Sequence, residues 1–269
     1  MSRSKKSRTD SIPTRVAVAG WEDHEFFGRK VFAELAGKTH LLELQALSLG
    51  VSINTADAVL LQTVSSIITL ADPRVPPLLA GRYAASDGNP ISGLSVALLT
   101  CYRARVGPWV VGRAGKMLER MADEAGPTTD GIFAWLEGRL EGGEELPGFG
   151  TPFRQSDERL PIIFERVAAA GHQGRYWQLA RKICTTTKDG FSLAPNVGIP
   201  LSALALDMGF RDEQIAWIIL YLLMHTLVAN SVEGGSSQHA LLRSLPIDSI
   251  DFRGTKRRKS PRALAADAT

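Results

Sequence analysis

Cysteine is almost missing from this chain: Cys101 and Cys184 are the only two among 269 residues. They have no metal or redox spacing and fit buried thiols in a reducing cytoplasm, the setting expected for the protein. Histidine is sparse as well. His24, His40, His172, His225 and His239 show no metal-ligand pairing, so no metal site is expected. Long apolar runs are lacking too. The longest, residues 215–229, falls short of the roughly 20 residues of a bilayer span and contains His225, so it reads as a buried central helix and not a membrane anchor. The N-terminus has charges with no apolar run after them, unlike a secretory signal. Walker and dinucleotide fingerprints are absent, since "GKML" at Gly115 lacks the rest of a phosphate loop.

What remains is the composition of an ordinary soluble globular protein, 44% hydrophobic and 22% charged, long enough to bury a substantial core. Charge is segregated. Residues 1–15 sum to +4 and residues 253–269 to +5, so a chain of net +3 carries −6 over residues 16–252. The body is acidic and the basicity sits in two Ser/Thr/Arg-rich ends, which read as solvated, disordered tails. A nucleic-acid-binding domain carries its basic patch on a structured face, so nucleic acid is not the expected partner.

Nearly every periodic segment has helical spacing. After Asn54 and Thr55, which can cap, Leu60, Val64, Ile67, Ile68 and Ala71 share one face, and "DPRVPP" (72–77) stops the helix. Helices are predicted over 92–102, 109–122, 130–140, 160–170, 175–187 and 200–208, the last with Pro200 at its first position. The long buried helix starts at Asp212 and Glu213, where carboxylates complement its dipole, and ends at Gly234 and Gly235. Only 15–19 reads as a strand. The body is therefore all-α, with ligand-type loops at "PGFGTPFRQSDER" (147–159) and "SLAPNVGIP" (192–200), each between two helices.

The order of these segments resembles the citrate synthase family, particularly its short, citryl-CoA lyase-like members. "PGFGTPFRQSDER" is similar to the family's Pro-Gly-Phe-Gly-His-Pro followed by Asp-Pro-Arg, and "PNVGIPLSALALDMGF" (195–210) to Asn-Val-Asp with a small-residue helix. "VGPWVVGRAGKML" (106–118) resembles Gly-Pro-x-His-Gly-Gly-Ala, and "LVANSVE" (227–233) the terminal Ala-His-x-x-Glu. The resemblance spans about residues 20–233. It implies a citrate-synthase-like helical fold with a large domain (16–107 and 195–252), a smaller one (108–194) and basic tails at 1–15 and 253–269. It also implies a homodimer with sites between the domains, no tightly bound cofactor, and a CoA thioester and a small carboxylate as ligands.

Family chemistry makes or breaks a carbon–carbon bond beside a CoA thioester. A carboxylate takes the methyl proton, one histidine hydrogen-bonds the enolate, another polarises the acceptor ketone, and arginines hold carboxylates. Here Thr151, Val110, Gly198, Leu223 and Asn230 occupy the columns of two histidines, the base, an arginine and the terminal histidine. Acid–base groups contribute about 10²–10⁴-fold each and an oxyanion donor about 10²–10³-fold, so losing the set leaves little of the ancestral rate. Arg159, Asn196 and Glu233 keep their places, and Arg154 lies near where CoA-contacting basic residues occur in the family, so these four are the expected substrate-binding residues. Asp157, Thr151 and His225 are the candidate replacements for the catalytic groups. Two readings stand: a divergent acyltransferase or lyase of this type, and a non-catalytic paralogue that binds a ligand or partner.

Overall fold

The structure, a computed structural model, describes residues 12–105, 107–126, 128–151, 156–187, 191–236, 246–251 and 253–255. Arg154 and most of both basic tails lie outside the described residues.

The chain opens with a small antiparallel meander, β1 (Ala17–Val18), β2 (Glu25–Phe26) and β3 (Arg29–Lys30), paired Ala17 to Phe26 and Glu25 to Lys30. The sequence predicts one strand here. The partners were missed because the tight β2–β3 turn puts Phe27 and Gly28 at positive φ, 48° and 75°, and phenylalanine lacks the Asn-Gly signature of such a turn. A π-helical turn, Val31–Leu35, follows; Asp23 accepts from the Phe32 and Ala33 amides at its start, at 2.8 and 3.0 Å.

The rest is helical: α1 (Leu41–Ser48), α2 (Thr55–Ile67), α3 (Pro76–Ala85), α4 (Pro90–Tyr102), α5 (Pro108–Glu124), α6 (Thr129–Glu141), α7 (Arg159–Ala169), α8 (Arg175–Thr186), α9 (Gly198–Asp207) and α10 (Glu213–Ser236). The all-α class holds. Asn54 caps α2 as expected, in a reciprocal box with Asp57. Three local expectations change. The prolines of 72–77 also start α3, since the first turn has no use for their missing N–H. Pro200 is the third residue of α9, which begins at Gly198. Gly234 and Gly235 lie inside the last turn of α10, where a Cβ on Gly234 would stand 2.8 Å from the Arg82 Cα, so close packing on α3 explains that glycine.

α10 is the axis of the core, packed by α3, α4 and α5, while α9 is buried along its length between α5 and α8. By length and composition α10 is long and apolar enough to cross a bilayer, but 56% of its apolar window is buried inside the fold, as in a core helix. The Asp207 carboxylate, at the end of α9, accepts from the Tyr176 and Trp177 amides at 2.9 and 2.8 Å and so caps α8 from another helix. His172 joins it at 3.2 Å. That arrangement locks α8 and α9 together beneath the loops of interest.

Candidate ligand site

The loop 146–151 is laced to the segment 194–198 that enters α9. The Gly150 amide donates to the Ala194 carbonyl at 2.7 Å, the Asn196 amide to the Gly148 carbonyl at 2.8 Å, and Phe149 bridges to Pro195. Asn196 completes the seam with its side chain: Nδ2 donates to the Gly150 carbonyl at 2.7 Å and Oδ1 accepts from the Gly198 amide at 2.8 Å. Gly148 sits at φ +90°, and a Cβ there would meet Ile199 Cγ1 at 2.9 Å, so only glycine suits this point of the loop. Phe191 walls the seam, stacked edge-on to Phe149 and Phe133 at 5.6 and 5.8 Å.

Asp157 joins this seam to α7. Its side chain is 1% exposed. Oδ1 accepts from Arg159 Nε at 2.8 Å and from the Arg159 amide at 3.2 Å; Oδ2 accepts from Arg159 Nη2 at 2.8 Å and from the Val197 amide at 2.9 Å. Burial pushes this carboxyl upward, yet the Arg159 guanidinium and the two amides outweigh it and hold Asp157 below the ordinary carboxylate value. A carboxylate with its acceptor positions filled orients its partner and is badly placed to take a proton. Arg159, 31% exposed, is held side-on by Nε and Nη2, which leaves the Nη1 edge without a partner among the described residues. A guanidinium fixed this way presents preorganised N–H donors to an anion.

Space for a side chain at Gly198 is closed. A Cβ on Gly198 would stand 2.9 Å from Asn196 Oδ1 and 3.3 Å from the Gly148 Cα, so the two loops touch where a side chain would project. Thr151 ends the loop half-buried. Leu223 is a core residue of α10.

The other candidates are elsewhere. His225 was expected within a buried segment; it is exposed on the outer face of α10, and its Nε2 meets Thr69 Oγ1 at 2.9 Å, because the helix turns that residue away from the core. Glu233, also exposed, pairs with Arg82 at 2.6 Å, which holds the glutamate below its ordinary value. Arg82 donates as well to Asn230 Oδ1 at 3.2 Å. Sequence reasoning missed Arg82, whose partners lie in the last turns of α10, and the Val197 amide, since a backbone donor has no residue signature. Both thiols are deactivated by burial, Cys101 pushed up to about 11 and Cys184 to about 12. Among the described residues no cluster of His, Cys, Asp and Glu is arranged to hold a metal ion.

An all-helical body with this loop seam at the head of α9 is a citrate-synthase-like fold, the class the sequence motifs implied. Citryl-CoA lyase from Hydrogenobacter thermophilus shares it at TM-score 0.75 and 17% identity, over 94% of this chain and 99% of that one. ATP citrate lyase from Methanosaeta concilii, solved with (3S)-citryl-CoA, matches at 0.67 and 19%, over 95% of this chain and 43% of that one. Citrate synthase from Thermoplasma acidophilum, solved with carboxymethyl coenzyme A and oxaloacetate, matches at 0.56 and 16%, over 82% of this chain and 59% of that one. No protein-family model and no curated protein matches the chain.

Proposed function

We propose that this chain binds a small carboxylate and a CoA thioester, ligands of its fold class, with Arg159 as the carboxylate grip and lyase- or acyltransferase-type chemistry as the activity. The observation that carries the reading is the Asp157–Arg159 clamp: a buried carboxylate holds a guanidinium with one donor edge left for an anion. Asn196 shapes the adjoining loop, and Thr151 offers a hydroxyl donor at its end. That a solved lyase of this fold holds citryl-CoA supports the ligand class. A cytoplasmic homodimer, with the small part at 108–194 meeting the large one at this seam, belongs to the same proposal.

The second reading, a non-catalytic binder, is favoured by the packing around Gly198, which leaves no room for the family's base without moving Gly148. The two readings part in one experiment on the full chain. Calorimetric titration with citrate, oxaloacetate, acetyl-CoA and CoA is expected to show carboxylate binding, weakened at least tenfold in Arg159→Lys because lysine loses the planar fork. Product analysis with acetyl-CoA plus oxaloacetate, and with citryl-CoA, follows. Turnover supports the enzyme; binding without turnover assigns the non-catalytic role; no binding to any of the four overturns the CoA-carboxylate reading and leaves a non-catalytic chain whose job is a partner or an unrelated ligand.

A further inference from the structure

The Arg159 edge is not the only ligand-type feature of the seam. Phe149, in the loop 146–151, and Phe191, just ahead of the segment 194–198, are half-buried and stand edge-on at 5.6 Å. Phe133 of α6, half-buried as well, completes the row at 5.8 Å from Phe191. Phe149 and Phe191 pack on the core from one side and keep part of their ring surface open to water. The row is more than the loop needs to hold its shape, since backbone bonds and the Asn196 side chain already close the seam.

The aromatic row and the anion donor hang on one short stretch of chain. Phe149 bridges to Pro195, and two residues on, the Val197 amide donates at 2.9 Å to the Asp157 carboxylate that holds Arg159. Two residues of chain span at most about 7 Å, so the two anchor points lie within the length of one small organic acid. The chemistry differs at the two ends. Asp157 and Arg159 cancel in charge, so one carboxylate on the Nη1 edge satisfies the clamp. A second carboxylate set against phenylalanine rings would lose its water without gaining a donor from them, and a charge desolvated without a partner is costly. An apolar group in the same place gains by leaving water, and a flat ring gains further by packing on other rings.

We propose that the seam selects an organic acid whose far end is apolar, aromatic above all, with Phe149 and Phe191 as the specificity-determining surface and Arg159 as the grip. An apolar lining with a few polar groups that fix orientation is the usual build of a small-molecule site. The inference rests on the carboxylate part of the proposed function and names the class of acid taken there.

Three probes share one head group and differ only at the far end: pyruvate carries a hydrogen there, oxaloacetate a second carboxylate and phenylpyruvate a phenyl ring. Calorimetric titration of the full chain is expected to find phenylpyruvate bound at least about tenfold tighter than either of the others. Arg159→Lys is expected to weaken all three in parallel. Phe191→Ala is expected to remove the advantage of phenylpyruvate while leaving oxaloacetate binding and the circular dichroism unchanged, and Phe191→Leu, which keeps an apolar side chain, to restore part of it. Oxaloacetate bound as tightly as phenylpyruvate overturns the inference and leaves the carboxylate reading standing. An advantage that survives Phe191→Ala does the same, as does a loss in that variant shared equally by all three acids, which would make the ring a support of the loop alone. Failure of all three acids to bind overturns the carboxylate reading itself, and the inference with it.

Discussion

At Asp157 a carboxylate with almost no exposure is kept ionised by a guanidinium and two backbone amides, and it ties α7 to the entry of α9. Removing one partner of a buried pair typically costs about 3–5 kcal/mol, so Asp157→Asn is expected to lower the unfolding free energy from urea titration by that order and to weaken carboxylate binding through a misplaced Arg159. The pH dependence has a definite sign. The folded value is depressed, so the stabilisation is complete above the unfolded value near 3.9 and is lost as pH falls through the lower folded value. Urea midpoints measured downward from pH 5 are expected to fall more steeply in the wild type than in Asp157→Asn. Gly198 makes a second prediction at this scale: any side chain must displace Asn196 or Gly148, so Gly198→Ala is expected to cost about 1–3 kcal/mol in the same measurement. Much of this was legible in the sequence. The glycines of 147–150, the spacing of Asp157 and Arg159 and the Asn196 column all stand in two short motifs. The Val197 amide and Arg82 were not, because a backbone donor and a partner 151 positions away leave no local trace.

At the scale of elements, helix ends carry the testable content. The Asn54–Asp57 box is local, and Asn54→Ala is expected to lose about 1 kcal/mol by thermal unfolding. Asp207 caps α8 from the end of α9. Asp207→Ala leaves the Tyr176 and Trp177 amides and His172 without that acceptor, and at about 1–3 kcal/mol for each buried unsatisfied group it is expected to cost more than the local cap. Amphipathic helices such as α5 and α8 were readable because one face is polar. α3 was missed because its prolines also stop the preceding helix, and the meander because Phe27 occupies a left-handed turn position.

For the whole molecule, burial controls thiol chemistry. With Cys101 pushed up to about 11 and Cys184 to about 12, both remain neutral thiols at pH 8, so a disulfide reagent is expected to label the buried Cys101 only on global unfolding and the partly exposed Cys184 slowly before it. The segregated charge gives a further expectation: deleting 1–11 and 256–269 removes most of the basic excess and leaves the carboxylate titration unchanged.

Periodicity and proline and glycine placement were enough to establish an all-helical chain with its candidate ligand loops, and the resemblance of its short motifs implied the citrate-synthase-like fold, because each is a property of residues close in sequence. Only the tertiary structure decided what those residues do. It turned His225 to the surface, set Glu233 on Arg82, closed the space at Gly198 against Gly148 and engaged Asp157 with Arg159 and the Val197 amide. The physical reason is that burial and hydrogen-bond partners depend on which helices pack together, and side chains far apart along the chain acquire their roles only when that packing brings them into contact.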